Sequence, residues 1–132
     1  MSDRYRRGVD IAERLAASKL AHFVDSGVAE VAPDFARMII EFAFGDLYSR
    51  EALDLRSREL VAIAALAASG KAGPQLRTHV ESAASVGISK AEVTEILMQV
   101  SLYAGFPASL NALADCHDLL TEEDILPRTC SL

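Results

Sequence analysis

The chain has 132 residues, 51% of them hydrophobic and 24% charged, which is enough for one globular domain around one core and too few for a second independent domain. Thirteen Lys and Arg against nineteen Asp and Glu leave a net charge of −6, and the arginines are scattered instead of gathered into a basic stripe with interleaved aromatics, so nucleic acid is not an expected partner. The opening MSDRYRRGVDIAERLAASKL interrupts its apolar pattern with charges, unlike a signal peptide, and the longest apolar stretch, Leu60 to Ala68, falls far short of the roughly 20 residues that span a bilayer. We expect a cytoplasmic protein without membrane contact.

Apolar residues recur at helical spacing almost throughout, and no stretch alternates as a half-buried strand does, so the expected fold is all-α. A first helix is predicted over Asp3 to Ser18, followed by a weaker segment from Lys19 to Val31. Pro33 suits the first position of the next helix, where its missing N–H costs nothing, and Phe35, Met38, Ile39 and Phe42 carry the pattern to about Tyr48. A third helix, capped by Asp54 or Ser57, runs through Ala68 and ends at Ser69-Gly70, with Lys71-Ala72-Gly73-Pro74 as a turn. A fourth covers Pro74 to Val86 and stops at Gly87. Ser89 with Glu92 three residues on forms a capping box for a fifth, which extends to Tyr103 or Ala104. Gly105-Phe106-Pro107 breaks it, and a sixth runs from Pro107 to about Leu120. Six helices with short links suggest an antiparallel bundle. The third helix, through Ala62-Ile63-Ala64-Ala65-Leu66-Ala67-Ala68, is apolar nearly all round, a pattern that asks for burial on all sides and so for a second subunit.

Cys116 and Cys130 stand fourteen residues apart, which fits neither a redox C-x-x-C nor a zinc knuckle, and both are expected to be reduced thiols. No Gly-rich phosphate loop and no metal-spaced His cluster occurs.

Four pieces, in order and spacing, point further: RYRRG (4–8), FAFGDLYSREALDLRSREL (42–60), QLRTHVESAASVGIS (75–89) and KAEVTEILMQVSLYAGFPASLNAL (90–113). Together they resemble the carboxymuconolactone decarboxylase family, with 42–113 as its core motif within a single domain spanning 1–132. The resemblance implies a helical bundle of the alkylhydroperoxidase D-like type, assembled as a homo-oligomer, by family likeness a hexamer. Redox members of that superfamily carry a C-x-x-C, a His four residues after it and a Glu about nineteen residues before the His. Here His79 and Glu59 stand at nearly those places, while Ala72 and Gln75 occupy the thiol positions. Disulfide exchange needs an attacking and a resolving thiol, so peroxidase chemistry is not expected. Glu59 is itself a departure, since many decarboxylase members have Ser or another neutral residue there.

The resemblance implies decarboxylation of 4-carboxymuconolactone or a similar carboxylated lactone in aromatic-acid catabolism, on the 3-oxoadipate pathway. When the ring carboxylate of such a lactone leaves as CO₂, its electrons run through the ring double bond into the lactone carbonyl, so the substrate is its own electron sink and the resemblance implies no metal, pyridoxal or thiamine, in agreement with the missing motifs. The protein then has to supply a proton donor for the carbon beside the carbonyl, a stabiliser for the oxyanion and an anchor for the acetate arm. His79 is the acid/base candidate, because an imidazole titrates near neutrality; the plainer reading is a surface His with a local hydrogen bond. Glu59, on the apolar side of the third helix, either orients His79, acts as a protonated acid, or forms an ion pair with Arg56 or Arg77. Arg56, Arg58 and Arg77 are candidates to grip substrate carboxylates, the guanidinium fork matching two oxygens at once; solvation at the surface is the commoner fate. Gln99 and Tyr103, four apart on one helix face, can donate to a lactone oxygen or simply pack. Asn111 needs a hydrogen-bond partner if buried, protein or ligand. His22 and His117 fall outside the motif. Two other functions stay open: a non-redox small-molecule binding or regulatory protein, and a different acid/base reaction, isomerisation or lactone hydrolysis, on the same scaffold. For the binding or regulatory reading, the discriminator is whether His79 and Glu59 converge on one pocket.

Overall fold

A computed structural model describes residues 1–25, 27–70 and 73–122, without the side chains of 16–25; Cys130, the side chain of His22 and the Lys71-Ala72 half of the expected turn lie outside the described residues. Every regular element among the described residues is helical: α1 (Asp3–Asp25), α2 (Val28–Val31), α3 (Pro33–Ile39), a π-helix (Ile40–Tyr48), α4 (Leu55–Ser69), α5 (Gly73–Ala83), a 3₁₀ turn (Ala84–Val86), α6 (Lys90–Gln99), α7 (Ser101–Ala104), α8 (Phe106–Asp115) and α9 (His117–Thr121). No described helix is long and apolar enough to cross a membrane.

The segments differ from the six expected in ways that local chemistry explains. Neither Pro nor Gly interrupts residues 9–25, so the first helix does not stop at Ser18 but continues to Asp25, and Gly27, at φ 80°, starts the separate α2. Pro33 opens α3 as expected, but beyond Ile39 the backbone widens into a π-helix, a rare form that is frequent at functional sites. Asp54, not Ser57, caps α4, its carboxylate accepting from the Ser57 N–H at 2.7 Å. Gly70 and Gly87, at φ 70° and 78°, take the left-handed turns that end their helices. The capping box forms as expected, Ser89 Oγ accepting from the Glu92 N–H and Glu92 accepting from the Ser89 N–H.

The main core is built where α4, α5, α6 and α8 meet: Ile63, Ala67, Leu76, Val80, Val93, Leu97, Val100, Ala112 and Cys116 are buried there. Burial pushes the Cys116 thiol pKa up, as for a structural cysteine. A second layer is formed by α1 lying along the π-helix. It is unusually close, because a Cβ on Gly8 would meet the Ile40 carbonyl oxygen at 2.3 Å and one on Gly45 would meet that of Arg4 at 2.3 Å. The RYRRG segment ties this contact down: Arg4 forks onto Asp46 at 2.6–3.0 Å, and Arg7 Nε donates to the Gly45 carbonyl at 2.6 Å. Its arginines hold the π-helix whose last residue is Tyr48.

Within one chain α4 is buried on one face only, through Glu59, Ile63 and Ala67, while Val61 is 60% exposed. Its apolar outer face continues a pattern seen elsewhere, since Met98, Leu102, Tyr103, Phe106 and Leu110 crowd an exposed surface on α6, α7 and α8, and Phe35, Met38 and Phe42 another.

Candidate active site

The face of α4 that packs on α5 carries Glu59, Ile63 and Ala67 at helical spacing, so the core that buries Ile63 also buries Glu59, at 0% exposure. A carboxylate there requires a donor from the facing helix. His79 supplies it: its Nδ1 lies 2.9 Å from Glu59 Oε2, and its side chain is 25% exposed. Glu59 therefore pairs with His79 and with neither Arg56 nor Arg77. Ser82, one turn beyond His79, places Oγ 3.3 Å from the same Oε2, but the Thr78 and His79 carbonyls at 3.1 and 3.2 Å compete for its proton. Glu59 Oε1 is buried with no hydrogen-bond partner among the described residues.

The hydrogen bond at Nδ1 fixes the orientation of the imidazole and leaves Nε2 as the nitrogen turned away from Glu59.

Beside this pair, a pocket of about 160 Å³ opens between the end of the π-helix and α4, lined by Leu47, Tyr48, Leu53, Arg58, Val61 and Ala62. Of the expected site residues it holds Arg58 alone; His79 and Glu59 are not in its wall, so the single chain brings the pair together without a shared enclosed pocket. Arg58 donates through Nη2 to the Arg50 carbonyl at 3.2 Å, stacks over Tyr48 at 5.8 Å, and leaves a buried Nε without a partner among the described residues. Burial, with the nearby Glu59 charge, pushes the Tyr48 hydroxyl pKa up to about 12.

The other candidates are occupied or apart. Arg56 bonds Glu92 at 2.5 Å, tying the start of α4 to the capped start of α6, and Arg77 forks onto Asp118 at 2.6 and 2.9 Å, holding that carboxyl down at a pKa of about 2. Both are structural ion pairs in this chain. Gln99 is exposed, Tyr103 is 84% exposed, and no hydrogen bond connects either to His79 or Glu59. Asn111 borders a second cavity of about 20 Å³ with Leu66, Leu76 and Asp115, room for roughly one water. His117 is an exposed residue opening α9. Among the described residues no group of three His, Cys, Asp or Glu side chains is placed to hold a metal ion.

Sequence reasoning missed Ser82 and Tyr48. Ser82 was reachable, standing one helical turn from His79. Tyr48 carried no local signal, because its relation to Arg58 and Glu59 exists only once the end of the π-helix and the start of α4 border one pocket.

Comparison with known proteins bears on the chemistry. The chain is 32% identical over 124 residues to 4-carboxymuconolactone decarboxylase of Acinetobacter baylyi, covering 94% of this chain and 92% of that protein. It is 35% identical over 106 residues to an uncharacterized 15.0 kDa protein encoded in the nqo9-nqo10 intergenic region of Paracoccus denitrificans, covering 80% and 79% of the two chains. It is 27% identical over 97 residues to nitrosuccinic acid decarboxylase npaB of Metarhizium robertsii, covering 70% and 66%. Two of these three relatives are decarboxylases, which supports carboxy-lyase chemistry here. The carboxymuconolactone decarboxylase family model matches residues 33–114, from Pro33 at the start of α3 almost to the end of α8, and the chain belongs to that family.

Proposed function

We propose that this chain is a cofactor-free carboxy-lyase that removes CO₂ from 4-carboxymuconolactone or a similar small carboxylated lactone in aromatic-acid catabolism. The observation that carries the reading is the His79–Glu59 pair, a partly exposed imidazole held by a wholly buried carboxylate at 2.9 Å. The bond from the ring carbon to its carboxylate breaks, and the electron pair moves through the ring double bond onto the lactone oxygen. His79 then delivers a proton from Nε2 to the carbon beside the carbonyl, and solvent restores it. Glu59 keeps the ring aimed, and Arg58 holds a substrate carboxylate. Decarboxylation of this kind asks for an acid, an oxyanion stabiliser and an anchor, and in this reading His79 is the acid and Arg58 the anchor. The names of the two decarboxylase relatives support the same logic, because a lactone and a nitro group are both electron sinks carried by the substrate itself.

The exposed apolar surfaces support self-association, for which a hexamer is our working expectation. Tyr103, Leu102 and Phe106, at 84, 76 and 72% exposure, form a patch that monomers rarely leave in water. Light scattering at micromolar concentration should find an oligomer, and a stable monomer would rule it out. The catalytic reading is tested by incubation with 4-carboxymuconolactone, following loss of its ultraviolet absorbance together with release of CO₂. Absorbance loss without CO₂ would point instead to isomerisation or hydrolysis of the lactone.

A further inference from the structure

The pocket between the π-helix and α4 has four apolar walls, Leu47, Leu53, Val61 and Ala62, and two polar ones, Arg58 and Tyr48. Arg4, Arg7, Arg56 and Arg77 each have a carboxylate partner, whereas Arg58 has none among the described residues. It spends one N–H on the Arg50 carbonyl and leaves Nε buried without a partner among the described residues. A partly buried guanidinium in apolar surroundings lacks its counter-charge and favours an anion that brings one. The Tyr48 ring is held from two sides, by Phe44 edge-on at 5.6 Å and by the Arg58 guanidinium at 5.8 Å, and its hydroxyl has no hydrogen-bond partner among the described residues. Two donors of fixed position, one charged and one neutral, thus share one wall.

We propose that Tyr48 and Arg58 form a carboxylate-binding subsite for a small, compact organic acid, the Tyr48 hydroxyl donating to one carboxylate oxygen and the Arg58 guanidinium to the other. The subsite deepens the lactone reading, on which its place in the reaction rests, by adding Tyr48 beside Arg58 and by bounding the ligand. A space of about 160 Å³ lies well under the roughly 300 Å³ at which pockets for drug-sized ligands begin, so a single five- or six-membered ring with short arms is the largest suitable guest. Tyr48 suits this task because its hydroxyl stays protonated up to a pH of about 12, so it remains a donor and never repels the incoming anion. The apolar walls then take the ring while the donors take the acid.

The test is calorimetric titration of the full chain with a saturated γ-butyrolactone bearing one ring carboxylate, which lacks the double bond needed to lose CO₂, and with its methyl ester. The wild type should bind the acid and bind the neutral ester at least about tenfold more weakly. Tyr48→Phe, which keeps both ring contacts, should weaken binding of the acid about tenfold and leave that of the ester unchanged, the loss expected for one hydrogen bond to a charged group. Arg58→Gln should weaken the acid further. Equal affinity of wild type and Tyr48→Phe for the acid would overturn the proposal, and so would a wild type that binds neither compound. Because no turnover is read, a protein that binds the acid through Tyr48 yet releases no CO₂ from 4-carboxymuconolactone would remove the decarboxylase reading and leave the subsite standing.

Discussion

His79→Gln separates the chemistry of the site from its stability. In the wild type, His79 gives the buried Glu59 carboxylate its principal donor at 2.9 Å, since the Ser82 proton is shared with two carbonyls. A glutamine amide placed there can still donate to Oε2, so the buried charge keeps a partner and the fold should persist; what is lost is a nitrogen that can take up and release a proton. General acid catalysis by one positioned group is worth about 10²–10⁴-fold, roughly 3–5 kcal/mol of barrier. We therefore expect kcat on 4-carboxymuconolactone to fall at least about a hundredfold, with KM within about threefold, measured from initial rates of ultraviolet loss. His79→Ala should behave differently, leaving Glu59 with the shared Ser82 proton alone and lowering stability by about 1–3 kcal/mol besides abolishing turnover. A His79→Gln enzyme turning over within tenfold of wild type would refute the reasoning, and a protonated Glu59 would then be the acid to test.

The three arginines should divide. Arg58→Gln is expected to raise KM about tenfold or more, whereas Arg56→Ala and Arg77→Ala, whose guanidinium groups are spent on Glu92 and Asp118, should leave KM within about threefold in the same assay. Gly45→Ala should destabilise the protein by about 1–3 kcal/mol in thermal melts, because a new Cβ would collide with the Arg4 carbonyl, and this outweighs the usual helical gain of Ala over Gly; an unchanged melting temperature would mean that α1 does not lie so close. Tyr48 has a folded-state pKa of about 12, above its ordinary value near 10, so its contribution is complete below pH 10 and is lost as pH rises toward 12. The urea midpoint should fall across that window, and by less in Tyr48→Phe.

Much of this protein is written in local chemistry. Helical periodicity, the Ser89–Glu92 capping box, Pro33 at a helix start and Gly70, Gly87 and Gly105 at helix ends act over a few residues, so they are legible one segment at a time. The spacing of Glu59 from His79, matched to a family pattern, was enough to nominate both. Other features depend on which helix lies against which. That Glu59 meets His79 and not Arg56 or Arg77 follows from α4 burying one particular face on α5, and that Arg56 and Arg77 are tied up follows from the approach of α6 and α9, 36 and 41 residues along the chain. The π-helix appears where α1 presses glycine against backbone at Gly8 and Gly45, a contact with no trace in the periodicity of either segment. Tyr48 follows from it: a tyrosine before a loop reads as ordinary surface until the π-helix sets it beside Arg58. Periodicity says which face of a helix seeks burial; only the packed fold decides what waits on the other side.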